Sequence, residues 1–247
     1  MRLTNAYLVI VDISGYTSFI TKRTVSLLHA EQIITELMES VIDLAEHPLT
    51  VNKLEGDAAL LYREWENGDS SAARDVFAQV KAFFPAFYRC LAQQRERRAN
   101  CNCDACSGID RLALKAFVHV GEIAIKKVRQ FEELAGEEVI LIHRLLKNHV
   151  PSRDYVLMTE AARAGAQLSA DNLQSHREDL EGVGVTSLWL TNSAQIPFEL
   201  LARPSQPPPT VEAERIPVFH HLPVAAPGLW QVLKTRLGRW PASIRKT

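Results

Sequence analysis

The chain opens on an unbroken apolar run at residues 6–13 (AYLVIVDI), largely β-branched, that stops at Ser14-Gly15. A run without polar alternation reads as a strand buried on both faces, feeding a tight turn and then a helix. Ile33, Ile34, Leu37, Val41, Ile42 and Leu44 recur at helical spacing and predict a helix over 27–46, closed by Pro48. Apolar segments at 49–54 and 58–62 flank Glu55-Gly56-Asp57 and predict a hairpin. Beyond a loop at 67–71, the stripe Val76, Phe77, Val80, Phe83, Phe84, Phe87 and Leu91 predicts a long helix to Gln94, bent at Pro85. Residues 112–120 and 122–128 predict a second hairpin around Gly121. Further on, 139–148 reads as a helix, 155–158 as a strand, 159–165 as a short helix and 186–191 as a last strand. Interleaved hairpins and helices make the fold class α+β, a mostly antiparallel sheet with packed helices. RPSQPPPT at 203–210 can continue neither sheet nor helix. The expected division is a main domain at 1–203 with a Cys-rich insertion near 90–106, a Pro-rich linker at 204–228 and a basic amphipathic tail at 229–247.

Composition narrows the class. With 47% hydrophobic and 23% charged residues, 247 residues can bury a real core, which excludes a disordered or fibrous chain. Lys+Arg at 28 against Asp+Glu at 29 leaves a formal net charge of -1, so no global basic field exists to hold nucleic acid. The early apolar run is too short to span a membrane and lacks a basic leader and cleavage site, so the expected location is cytoplasmic. Residues 205–247 carry Glu212 and Glu214 against Arg215, Lys234, Arg236, Arg239, Arg245 and Lys246, or +4, leaving -5 for the rest. Within the tail, Trp230, Leu233, Leu237 and Trp240 recur at helical spacing among cations. That pattern suits an anionic membrane surface, whereas its shortness and the breaks at Gly238 and Pro241 favour a docking helix or frayed tail.

Cys101, Cys103 and Cys106 fall inside six residues, with Cys90 upstream. In a cytosolic chain this clustering points to metal or redox chemistry before disulfides. Cys103 and Cys106 have the two-residue spacing that chelates Zn²⁺, Cys101 is close enough to join, and Cys90 is a candidate fourth thiolate of a structural zinc site. A redox-sensitive thiol group and ordinary reduced cysteines are the alternatives.

Three patches resemble, in order, the catalytic domain of class III nucleotidyl cyclases. They are VDISGYTSF at 11–19, KLEGDAALLY at 53–62, and FVHVGE at 117–122 followed by GEEVILIHRLLKN at 136–148. The resemblance covers residues 6–192, and the HRLLKN string and cysteines look like a divergent branch. It implies a ferredoxin-like cyclase fold, a homodimer with the active site between two chains, and two-metal conversion of ATP to cyclic AMP and pyrophosphate with Mg²⁺ or Mn²⁺. It further implies metal ligation by Asp12, Asp57 and the Ile13 carbonyl, adenine contacts from Lys53 and Glu133, and transition-state stabilisation by Arg144. These residue types suit such roles: hard cations take carboxylate oxygens, and a fixed guanidinium neutralises phosphate charge. The turn at 14–19 leads into a helix start, where N–H groups face phosphate oxygens.

Read without that resemblance, Asp12 and Asp57 are equally ordinary turn and capping residues, Glu133 a solvated acid, and Arg144 a surface cation paired with Glu137 or nearby acids. His119 alternates with Val118 and Val120 and is expected to pack in the core, with Glu122 shaping the hairpin. One position departs from the resemblance: Ile140 stands where it implies an Asn, and an isoleucine cannot hydrogen-bond the ribose. Losing one such preorganised donor costs about 2.7–4 kcal/mol. Asn148 lies on the same helix face but two turns on, displaced by about 12 Å at 1.5 Å per residue. The implied enzyme is therefore slow. Its rivals are a catalytically impaired domain that binds nucleotide or another signal as a sensory or interaction module, and a zinc-stabilised interaction module with an idle cleft.

Overall fold

The structure is a computed structural model whose described residues are 1–20, 27–45, 48–66, 69 and 71–192. They fall within one compact unit, Met1–Ala202. The expected linker and tail lie outside the described residues. The opening apolar run forms β1 (Arg2–Ser14), paired antiparallel to β3 (Ala58–Trp65) along one edge and β4 (Ala113–Val128) along the other. A strand flanked at both edges and covered on both faces needs apolar side chains at successive positions. Tyr7, Val9, Val11 and Ile13 enter one layer, and Ala6, Leu8 and Ile10 the other.

β2 (Thr50–Glu55) extends the sheet beyond β3, as the first hairpin predicts, while β6 (Tyr155–Thr159), β8 (Gly184–Thr191) and β7 (Gln174–Leu180) extend it beyond β4. The order is β2-β3-β1-β4-β6-β8-β7, with only the β4–β6 pair parallel among these described neighbours. This is the α+β, antiparallel-dominated sheet that the interleaved pattern predicts. α2 (Leu27–Ile42) and α3 (Ala72–Arg97) cover one face through Ile33, Leu37, Phe77, Phe83 and Phe87, all fully buried. α3 continues through Pro85 to Arg97. The other face carries α5 (Glu137–Leu145), whose Val139, Ile142 and Leu145 pack with Leu8, Ile10 and Phe117. Short helices α1 (Tyr16–Ile20), α4 (Asp104–Gly108) and α6 (Glu160–Gly165) complete the described unit.

The hairpin expected at Gly121 does not form. β4 runs through that glycine as one strand of 16 residues, in register with β1 from Ala113 to Ile125. The chain instead reverses near Arg129, which takes φ 58°, into β5 (Phe131–Ala135), a strand the apolar pattern did not predict. Gly121 serves a close approach: a Cβ there would meet the Glu138 side chain of α5, with Cγ at 2.6 Å. Glu138 in turn holds His119. Gly121→Ala is therefore expected to force Glu138 outward and cost about 1–3 kcal/mol, the usual range for overpacking. Urea denaturation measures this, and the loss should shrink in a Glu138→Ala background, where nothing is left to displace.

Candidate functional site

Asp12 stands two residues before the end of β1, opposite Ala58 of β3 and Lys115 of β4. Strand alternation puts its side chain on the α5 face with Ala6, Leu8 and Ile10. Asp57 follows Gly56 in the β2–β3 turn, and its main-chain carbonyl accepts the Ile13 N–H at 3.0 Å, which ties the turn to the strand end. Ile13 contributes that amide while its side chain is buried against the α2–α3 layer. Burial, and next the charge of Asp12, raises the Asp57 carboxyl pKa above the ordinary carboxylate value, against the pull of a backbone amide and of Lys115. The two carboxylates are thus electrostatic neighbours at one end of the sheet. The Lys115 ammonium is 2.6 Å from Asp12 Oδ2, with only 18% and 14% of the two side chains exposed. It also lies 5.9 Å from the Phe117 ring centre. Lys115 carries no motif in the sequence; only the register with Asp12 reveals it.

The chain leaves β1 through Gly15, whose φ of 92° suits glycine. A side chain there would collide with the Arg153 guanidinium and the Arg111 carbonyl. Ser14 Oγ donates to the Arg153 carbonyl at 2.9 Å. Arg153, distant in sequence, therefore brings a cation over the turn that follows Asp12.

Lys53 follows the irregularity in β2 and is 51% exposed, with its ammonium 3.7 Å from Glu55. Glu55 also faces His143 of α5 at 3.8 Å. Glu133 lies on β5 opposite Lys126. Its neighbour Glu132 accepts the Asn52 side-chain amide at 3.2 Å through the main-chain carbonyl, and the Tyr62 hydroxyl at 2.5 Å through the carboxylate. β5 thereby touches β2, and Lys53 and Glu133 sit next to the joined residues. Arg144 is directed elsewhere, with Nη1 2.8 Å from Glu181 in the β7–β8 turn. Within one chain, Lys53 and Arg144 are paired with these acids rather than with Asp12 or Asp57. Ile140 projects from α5 with 54% of its surface exposed.

Asn148 is occupied structurally, accepting the Tyr155 hydroxyl at 3.0 Å and the Val150 N–H at 2.9 Å. His119 is buried as expected, 2.8 Å from Thr159 Oγ1 and 2.5 Å from Glu138 Oε2. Burial lowers its pKa while Glu138 opposes the shift. Glu122, expected to shape a hairpin, is an exposed strand residue opposite Asn5 because no turn exists there.

Cys101, Cys103 and Cys106 converge where the chain leaves α3 and enters α4. His29 Nδ1, from the first turn of α2, lies 3.7, 3.4 and 3.7 Å from their sulfurs in that order. The four potential ligand atoms all lie within 4.8 Å of one another. Cys90 is not among them: its thiol donates to the Glu36 carbonyl at 3.5 Å. Cys103 Sγ accepts the Cys106 N–H at 3.4 Å and caps α4. Burial works to raise the Cys103 pKa, but that amide, His29, Cys106 and Cys101 together bring it down to about 6. Burial and the neighbouring Cys103 and Cys101 push Cys106 up to about 12.

The model of a family described as a protein of unknown function (DUF2652) matches residues 34–155. The uncharacterized protein Rv2561/Rv2562 of Mycobacterium tuberculosis is 37% identical over 157 residues, covering 62% of this chain and 70% of the relative. Among solved structures, the adenylyl cyclase CyaB from P. aeruginosa is similar at TM-score 0.57 and 14% identity, over 77% of this chain and 95% of that one. The guanylyl cyclase Cya2 is similar at TM-score 0.60 and 14% identity, over 76% and 91%. The guanylate cyclase domain of RhGC from Catenaria anguillulae, solved in complex with GTP, gives 0.54 and 10%, over 78% and 99%. These likenesses establish a cyclase-domain fold. No helix among the described residues is long and apolar enough to cross a membrane.

A carboxyl that, like that of Asp57, is harder to ionise when folded burdens the native state once pH exceeds its unfolded value near 4, and fully above its folded value. Asp57→Asn is expected to stabilise the fold at pH 7, with the gain fading below about pH 4. Urea midpoints of both proteins at pH 7 and pH 3.5 check it.

Proposed function

We propose a function for this chain, which belongs to the same family as the uncharacterized mycobacterial protein: it binds ATP with a divalent cation and converts it slowly to cyclic AMP and pyrophosphate. The observation that supports this reading is the Asp12–Asp57 pair, two carboxylates held at one sheet end closely enough that one raises the pKa of the other. Together with Lys115 they leave one uncompensated negative charge, and an oxygen-only donor set of this kind fits Mg²⁺ or Mn²⁺. When bound, such ions neutralise the triphosphate and favour attack of the ribose 3′ hydroxyl on the α-phosphorus. Asp12 and Asp57 would hold them, with the Ile13 carbonyl as a further oxygen donor. Arg153 and Lys115 supply positive charge beside the turn that receives the phosphates.

Lys53 and Glu133, each next to a residue of the Asn52–Glu132 contact between β2 and β5, are the pair for the adenine edge. Arg144 is the cation for the transition state. Because Lys53 and Arg144 pair with acids away from Asp12 within one chain, the reading is a homodimer in which each copy completes its partner's site. Its place is the cytoplasm, where ATP and Mg²⁺ are available.

The exposed Ile140 favours a second reading, nucleotide binding without cyclisation, as a sensory module. Purified protein incubated with ATP and Mn²⁺ is expected to yield cyclic AMP, detected by mass, and the Asp12→Ala/Asp57→Ala variant none. Ile140→Asn should raise the rate about 100- to 1000-fold by restoring a ribose donor. Metal-dependent ATP binding with no product from either wild type or Ile140→Asn would establish the sensory reading. Absence of metal-dependent ATP binding would remove both.

A further inference from the structure

We infer that His29, Cys101, Cys103 and Cys106 form a closed structural zinc site, distinct from the Asp12–Asp57 pair and independent of the cyclase reading. The first support is what hydrogen bonding cannot explain. An imidazole Nδ1 offers one proton or one lone pair, so it can satisfy one sulfur. Here three sulfurs surround the same nitrogen at 3.7, 3.4 and 3.7 Å. A tetrahedral zinc ion with Zn–S near 2.3 Å and Zn–N near 2.0–2.1 Å places nitrogen and sulfur about 3.5–3.6 Å apart, close to the distances observed.

The donor set selects the metal class. Three thiolates and one imidazole suit Zn²⁺ and are poor ligands for hard cations such as Mg²⁺, which take oxygen. Ligand atoms all within 4.8 Å of one another converge on a single ion and are too close to divide between the irons of a cluster. Four protein ligands leave no open position, which is the mark of a structural rather than a catalytic zinc. The Cys106 N–H donating to Cys103 Sγ supplies the outer-shell bond that holds a ligating sulfur as thiolate.

The site joins chain segments 72 residues apart, the first turn of α2 and the exit from α3. It also reaches α1, because Gly108 at the end of α4 lies against the Phe19 ring. An ion here would clamp α2, α4 and α1 together just beyond the turn that follows Asp12.

Metal analysis of the full chain, purified under reducing conditions without chelator, tests this directly. One zinc per chain is expected, retained in Cys90→Ser and lost in His29→Ala, Cys103→Ser and Cys106→Ser. Wild-type protein reconstituted with Co²⁺ needs no variant to fold, and should show the ligand-field and sulfur-to-cobalt charge-transfer bands of a thiolate-rich tetrahedral site. The inference falls if reduced wild type takes up no zinc and shows no such cobalt bands. It falls equally if the purified chain carries iron instead, or if Cys90→Ser loses the metal while His29→Ala keeps it.

Discussion

Asp12 owes its position to the pairing of β1 with β4, which runs in register from Arg2 opposite Ile125 to Ser14 opposite Ala113. Side chains alternate along a strand, so a slip of one residue would exchange its two faces. Val11 would then face α5, and the Asp12 carboxylate would enter the apolar layer under α2 and α3, where an unpaired charge is strongly disfavoured. The second ladder, from β1 to β3, carries the turn that bears Asp57, and the Ile13 amide closes it. Both acids therefore stand on the rigid part of the fold, with only a short turn between Asp57 and its strands. A site meant to hold a charged ligand benefits from such support.

The polar residues near this end of the sheet differ in how fully the fold satisfies them. His119 is buried and both ring nitrogens are engaged, by Thr159 and Glu138. Asn148 is likewise engaged by Tyr155 and Val150. Asp57 differs: burial and Asp12 both work against its charge, and Lys115 compensates only part of it. Its own backbone amide in the β2–β3 turn offsets another part. Perturbed carboxyl groups of this kind recur at functional sites.

How much of this was legible in the sequence follows from the range of each interaction. β1, the β2–β3 hairpin and helices α2, α3 and α5 showed themselves because their apolar spacing reports a local period. Gly121 misled because glycine marks turns and close approaches alike, and the approaching partner, Glu138 on α5, is not a local feature. β5 (FEELA) mixes exposed and buried positions, and β7 (QSHREDL) alternates in burial but turns the polar His176 and Glu178 inward, so neither produced an apolar signal. The carboxylates were legible through motif resemblance, but Lys115 and Arg153 were not, since a lone cation gains meaning only from register or packing. The cysteines announced themselves by spacing, yet Cys90 proved remote and His29 adjacent. The α2–α3 packing decides that outcome: Glu36 takes Arg97 and Arg98 at 3.3 and 3.5 Å, which draws the end of α3 along α2 toward His29.

The ion pairs around the candidate site also differ in how readily they can be redirected. Arg144 is bound to a Glu181 that is 77% exposed, and Lys53 is itself half exposed beside Glu55. Exposed pairs of this kind contribute about 0–1 kcal/mol, so a phosphate or a second chain can displace the acid at little cost. Asp12 and Lys115 are mostly buried, and breaking that pair leaves an uncompensated charge in a poorly solvated place. The buried Asp12–Lys115 pair is thus the fixed part of this end of the sheet, and the pairs of Arg144 and Lys53 are the ones easily exchanged.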